Sequence, residues 1–224
     1  MITYTLYRTN RKTIAIYVRN GKVEVRAPQK ASKRVIDQFI VSKEKWIAGK
    51  LATSCERQER REAFTLNYGD MVLYRGEAYP IAAIPEDRGG FDGERFFIPD
   101  ELVPKQIKCA CILIYRMLAK RDLSKKVSEF AKQMGVRPIA VKINGAKTRW
   151  GSCSGQKSLN FSWRLIMAED EVIDYVVVHE LAHISEMNHS GRFWAIVAGV
   201  LPDYQERQKR LKDLQKKLIM EEWE

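Results

Sequence analysis

The sequence predicts an α+β fold. Strand-like and helix-like runs fall in blocks with no strict βαβ alternation, and one long helical stretch, from Pro104 to about Met134, separates a strand-rich half from a mixed half. With 45% hydrophobic and 30% charged residues over 224 positions, the chain has the composition of a folded protein with a sizeable core. The pattern divides it into a β-rich N-terminal region with one helix, residues 1–103, and an α+β domain, residues 104–224.

The elements follow in order. The β-branched run Thr13-Ile14-Ala15-Ile16-Tyr17-Val18, a turn at Asn20-Gly21 and the alternating Val23-Glu24-Val25-Arg26 predict a β-hairpin. From Lys33 to about Arg61 the apolar residues Val35, Ile36, Phe39, Ile40, Trp46, Ile47 and Leu51 recur at helical spacing. Short strands are expected around Phe64–Leu66, Val72–Tyr74, Tyr79–Ile81 and Phe96–Ile98, punctuated by glycine and aspartate turns. Pro104 opens the long helix, and Gly135 with Pro138 closes it. Strands around Ile139–Ile143, Arg149-Trp150 and Leu159–Trp163 come next. A helix over about Glu171–Glu186, a turn, a short helix through Trp194 and a charged helix from about Tyr204 complete the chain.

Several classes of protein are excluded. No apolar run approaches the ~18–20 residues needed to span a bilayer, and the charged N-terminus does not read as a secretory signal. Four cysteines without CxxC pairing read as reduced thiols, so a cytoplasmic protein is expected. The formal charge of +11 is concentrated in two blocks: residues 1–62 carry 15 basic and 6 acidic side chains, and residues 105–168 carry 14 and 2. Residues 169–202 carry an acidic excess.

That acidic stretch holds all three histidines, within the eleven residues His179-Glu180-Leu181-Ala182-His183-Ile184-Ser185-Glu186-Met187-Asn188-His189. Residues i and i+4 share a helix face, so His179 and His183 present imidazoles to one point. Glu180 sits about 100° round the helix, within reach of a water held there but off the ligand face. If the helix stops soon after Glu186, a turn at Met187-Asn188 returns His189 to the same metal, with Asn188 suited to left-handed backbone angles. Three imidazoles leave one tetrahedral position open, the arrangement of a catalytic zinc site. Burying two histidines and a glutamate beside Val172, Ile173 and Val176–Val178 without a strong partner would be costly, which favours one Zn2+ per chain. Glu186 and Glu206 are the alternative third ligands.

Arg149 and Trp150 precede this helix, where Arg149 is a candidate to stabilise a developing oxyanion. The competing reading has Trp150 in the core and Arg149 in a cap or ion pair. Tyr204, after Pro202, is a candidate hydrogen-bond donor or a packing residue. Phe193 and Trp194 read as core, and Cys109 and Cys111, two apart on a helix, cannot face one metal.

The sequence resembles the YgjP-like metallopeptidases of the zincin superfamily. The resemblance rests on Lys147-Thr148-Arg149-Trp150-Gly151-Ser152-Cys153, Trp163-Arg164-Leu165-Ile166, Val176-Val177-Val178-His179-Glu180-Leu181-Ala182-His183, Asn188-His189-Ser190 and Phe193-Trp194, with Arg11–Ile14 and Val23–Pro28 in the opening segment. It implies a zincin-like catalytic half, zinc on His179, His183 and His189, and Glu180 as catalytic residue. The HExxH helix with a later histidine is also similar to SprT-like proteases that act on DNA-bound proteins. Glu186 stands where metzincins place a turn glycine, so that assignment does not fit. The expected activity is hydrolysis of peptide bonds in a peptide or protein. The runner-up is a nucleic-acid-associated zinc-binding module, drawing on the basic blocks.

Overall fold

The computed structural model describes residues 2–19 and 21–223 and divides into two compact units, residues 1–64 with 218–222, and residues 65–217 with Trp223.

In the first unit, β1 (Thr5–Thr9), β2 (Ala15–Arg19) and β3 (Lys22–Pro28) form a sheet in the order β1-β3-β2. β2 and β3 are the expected antiparallel hairpin. Asn20 of its turn lies outside the described residues, and Gly21 takes the left-handed φ of 70°. β1 pairs parallel to β3, a partnership the local pattern did not announce. Alternation along β3 buries Val23, Val25 and Ala27 against Ile36, Ile40 and Ile47. The helical run from Lys33 is two helices where the sequence suggested one: α1 (Lys33–Ser42), capped by Ser32 Oγ, and α2 (Glu44–Ala63). They part where Ser42 Oγ donates back to the Phe39 carbonyl at 2.7 Å and Lys43 takes a non-helical ψ of 10°.

The second unit holds two sheets and four α-helices. β4 (Met71–Tyr74), β5 (Glu77–Ile84), β6 (Gly90–Phe91) and β7 (Phe96–Pro99) run in the order β4-β5-β7-β6, and the β4–β5 hairpin turns on Arg75 and Gly76, both at positive φ. α3 (Pro104–Met134) ends at Gly135 in the left-handed conformation, as the glycine suggests. Its Tyr115 ring packs against Phe96 at 5.1 Å and stacks on the fully buried Trp163 at 5.4 Å, and its hydroxyl donates to the Leu73 carbonyl at 2.6 Å. Tyr74 donates to Asp122 of α3 at 2.5 Å. These contacts put the β4–β7 strands in one unit with α3, so the units part at Phe64, whereas the sequence pattern suggested 103/104.

The second sheet is β8 (Ala140–Asn144), β10 (Ser158–Ser162) and β9 (Gly151–Cys153), in the order β8-β10-β9. Among the described residues β9 pairs only with β10, antiparallel, and is an edge strand. A 3₁₀ turn over Trp163–Met167 leads into α4 (Asp170–Ala182), followed by α5 (Gly191–Val200) and α6 (Tyr204–Leu218). Mixed sheets with unalternated helices make this an α+β fold. Among the described residues, no helix is long and apolar enough to cross a membrane.

Candidate metal centre

α4 is buried nearly all round: Val172, Ile173, Tyr175–Val178, Leu181 and Ala182 are core residues. Asp170 and Glu171 in its first turn complement the helix dipole. Asp170 also pairs with Arg75, and Lys126 of α3 reaches Asp174 at 2.5 Å. The helix is thereby held at its N-terminal end by two other elements, and its last turn delivers the chemistry.

His179 sits in that turn and His183 is the C-cap, at φ −64° and ψ −17°. The helix ends at Ala182, four residues before the expected Glu186, because the N–H groups of Ile184, Ser185 and Glu186 turn back onto the carbonyls of Leu181 and Ala182. No left-handed residue is needed at Asn188, since the only non-glycine positive-φ residues described are Arg75, Glu101 and Lys157. The Ser190 N–H bonds the Asn188 carbonyl at 2.8 Å, and Ser190 Oγ caps α5 by accepting from Phe193 N. His189, just before that cap, is carried back to α4 by the start of α5.

The three imidazoles converge. Their nearest nitrogens all lie within 4.8 Å of one another, and the Nε2 atoms of His179 and His189 are 3.1 Å apart. Zinc–nitrogen bonds of about 2.0–2.1 Å in a tetrahedron separate ligand atoms by roughly 3.3 Å, so this spacing suits a shared ion. His183 Nδ1 lies 3.1 Å from the Glu186 carbonyl; donating there turns its Nε2 lone pair toward the cluster. His179 Nδ1 is buried with no hydrogen-bond partner, and its Nε2 is the nitrogen turned toward His189. Burial, then the neighbouring His183 and His189, push the His179 pKa down to about 4. Burial also lowers that of His183. Neutral imidazole is the form that ligates metal, and the residues present fit such an ion.

Glu180 is not among the converging donors and is only 5% exposed. Burial pushes its carboxyl up to about 7, moderated by the charge of Arg149. The carboxyl lies against Gly151 of β9, where a Cβ would fall 2.7 Å from Oε1 and Cγ. Gly151 thus makes the room for Glu180, a role sequence reasoning missed because it depends on a strand far along the chain. Burial and Glu180 together raise the Cys153 thiol above its ordinary value.

Phe193 was also missed as part of the site. Fully buried, its ring centroid lies 4.9, 4.5 and 4.7 Å from those of His179, His183 and His189. It is the apolar floor on which all three imidazoles rest; FW after a histidine on a helix reads as ordinary core.

The remaining candidates divide. Arg149 is exposed and near enough to Glu180 to shift its titration. Trp150 is half-buried, its indole N–H has no partner, and its carbonyl accepts from Ser162 N at 2.8 Å. Tyr204 stacks on Trp194 at 5.2 Å, and Trp194 in turn lies 5.8 Å from His189 and 6.0 Å from His179. Glu206 is outside the converging group, and Glu186 meets the site through its backbone carbonyl. Cys111 is buried and its thiol raised to about 12, while Cys109 on the same helix is exposed.

Two imidazoles from one helix, a third from the loop after it and a buried carboxylate beside them are the equipment of a metallopeptidase. The chain belongs to the YgjP-like family: residues 12–214 match the model of its metallopeptidase domain. Among solved structures the chain is similar to the metallopeptidase zymogen abylysin of Pyrococcus abyssi, with 23% identity, 40% of this chain and 90% of that chain covered, and a TM-score of 0.38. It is also similar to the zymogen jannalysin of Methanocaldococcus jannaschii, with 24% identity, 42% and 96% covered, and a TM-score of 0.37. No curated protein matches it in sequence.

Proposed function

We propose that the protein is a cytoplasmic zinc-dependent peptidase that hydrolyses peptide bonds, with His179, His183 and His189 holding one zinc per chain and Glu180 as general base. The observation that carries this reading is the convergence of three imidazoles beside a carboxylate that is buried but not one of them. When bound, zinc supplies Lewis acidity toward a water and the scissile carbonyl.

The chain's own residues do the rest. Glu180 takes a proton from the attacking water and returns it to the departing amine nitrogen. A carboxyl raised to about 7 exchanges protons near neutrality, which suits both halves of that task. Arg149, exposed and near enough to Glu180 to lower its pKa, is the candidate to stabilise the charge that develops on the carbonyl oxygen. β9 offers an unpaired strand edge next to the carboxylate, against which an extended peptide can align.

Metal content and hydrolysis of an unfolded casein-like substrate test the reading together. Wild-type protein is expected to carry one equivalent of zinc, and His183→Ala to lose it. Glu180→Gln is expected to keep zinc while activity falls at least ~10²-fold. Stoichiometric zinc in His183→Ala overturns the ligand assignment, and undiminished activity in Glu180→Gln overturns the base.

A further inference from the structure

The first unit contains a groove, of about 710 Å³, that the peptidase reading does not use. α2 lines it with Lys50, Thr53, Ser54, Arg57, Gln58 and Arg61, which fall on one face of the helix. Arg19 of β2 adds a fourth cation, and Ile219 and Glu222 form part of the wall. We propose that this groove binds the phosphate backbone of a nucleic acid, without reading its sequence.

Charge is segregated across α2. Its five basic and four acidic side chains nearly balance, yet Glu56 and Glu59 lie away from the groove while Lys50, Arg57 and Arg61 line it. Of the acids that reach the groove, Glu222 pairs with Arg61, and Glu62 accepts from the neutral Gln58 amide at 2.9 Å, so one negative charge stands against Lys50, Arg57 and Arg19. Lys50 and Arg57 have no hydrogen-bond or ion-pair partner among the described residues, and Arg57 Nε is buried unpaired. Among the described residues, the Arg19 guanidinium meets only the Tyr17 ring, at 5.3 Å. Unpaired cations held along one groove, Lys50 and Arg57 about 10 Å apart along the helix with Arg19 beside them, fit a ligand with regularly repeated negative charge.

Two features select nucleic acid over an acidic protein segment. The groove's apolar lining is confined to Val18 and Ile219, so it lacks the pockets from which protein partners draw most of their affinity. Phosphate contacts need no such anchors, and the excess of 15 basic over 6 acidic side chains in residues 1–62 supplies a field that draws a polyanion toward this unit. Among the described residues no aromatic ring lines the groove, so bases have no stacking platform there and sequence preference is not expected.

The test titrates the full-length protein into labelled single-stranded and duplex DNA at about 50 and 200 mM salt. Lys50→Gln with Arg57→Gln is compared with Lys45→Gln with Arg60→Gln, which removes the same charge outside the groove. Because Lys50 and Arg57 hold no partners, their loss should leave the thermal midpoint unchanged. The groove pair is expected to weaken binding about tenfold or more and to lower the slope of log K against log salt by about 1.4, the equivalent of two single-strand phosphate contacts. The control pair should stay within about twofold of wild type. No binding by wild type at the lower salt, or equal losses in both pairs, overturns the proposal. So does displacement of the strand by polyglutamate at matched charge and lower concentration, which would assign the groove to acidic polypeptides.

Discussion

α2 and α4 carry the two sets of polar residues that matter in this protein, and they treat them in opposite ways. α2 has 20 residues and one buried position, Ile47; α4 has 13 residues, nine of them buried, Glu180 included. Most charges on α2 cost little, so there the segregation of charge between faces carries most of the information. A polar group on α4 is expensive unless something compensates it. The convergence of His179 with His183 and His189 and the raised Glu180 carboxyl therefore each point to a specific function. The lesson is that burial turns a polar residue into evidence, whereas exposure demands a pattern.

That contrast breaks most visibly at Phe193. Phe193→Ala removes the ring against which all three imidazoles pack, and a buried Phe→Ala change costs about 3–5 kcal/mol of stability. If the ring also orients the ligands, zinc affinity falls by about 10–100-fold, the scale seen when residues that support metal ligands are lost. Phe193→Leu restores volume but not the flat surface, so it should recover most of the stability and less of the affinity. Competition with a chelator of known affinity, together with the spectrum of the cobalt-substituted protein, separates the two effects. Unaltered affinity in both variants would reduce Phe193 to core packing.

Gly151 comes next. A Cβ there would sit 2.7–2.8 Å from the Glu180 carboxyl group and must displace it. Gly151→Ala is expected to retain zinc and to lose about 10²-fold in activity, close to Glu180→Gln itself, since both remove a placed base. Combining the two changes should cost little more than either alone. Additive losses would show that Gly151 acts elsewhere.

These two residues also mark what the sequence could not disclose. His179, Glu180 and His183 were legible because their relation is local: three positions on a helix define a face whatever surrounds it. His189 was legible in identity, though the turn that returns it differs from the expected one, since the helix ends at Ala182 on backbone hydrogen bonds that no side chain announces. Gly151 and Phe193 act across long sequence separations, through packing that no periodicity records. β1 was missed for the same reason, because its parallel partner β3 is specified by a distant register. The strands β4–β7 read as strands, but that they share a unit with α3 rests on Tyr74, Phe96 and Tyr115 meeting in three dimensions.

The smallest expected effect tests burial itself, in metal-free protein. Glu180 ionises at about 7 in the folded chain against an ordinary 4.5, so the folded state keeps its proton longer than the unfolded state does. The resulting penalty is absent below about pH 4.5, grows as pH rises, and is complete above about pH 7, where it is on the order of 3 kcal/mol. His179 acts with the opposite sign: held neutral down to about 4, it makes the folded state lose ground as the unfolded chain protonates between about 6.5 and 4. The two trends oppose each other across the window they share, so wild-type stability alone would conceal both. Glu180→Gln removes only the first, and any cost of burying an amide there is the same at every pH. The difference in unfolding free energy between variant and wild type should therefore move in favour of the variant as pH rises from about 4.5 to about 7, then level off. Denaturant titrations at several pH values, with chelator present, measure it. A difference that stays flat with pH would mean that the Glu180 carboxylate is as well solvated as any on α2, and the contrast between the two helices would fail at the residue on which the proposed catalysis depends.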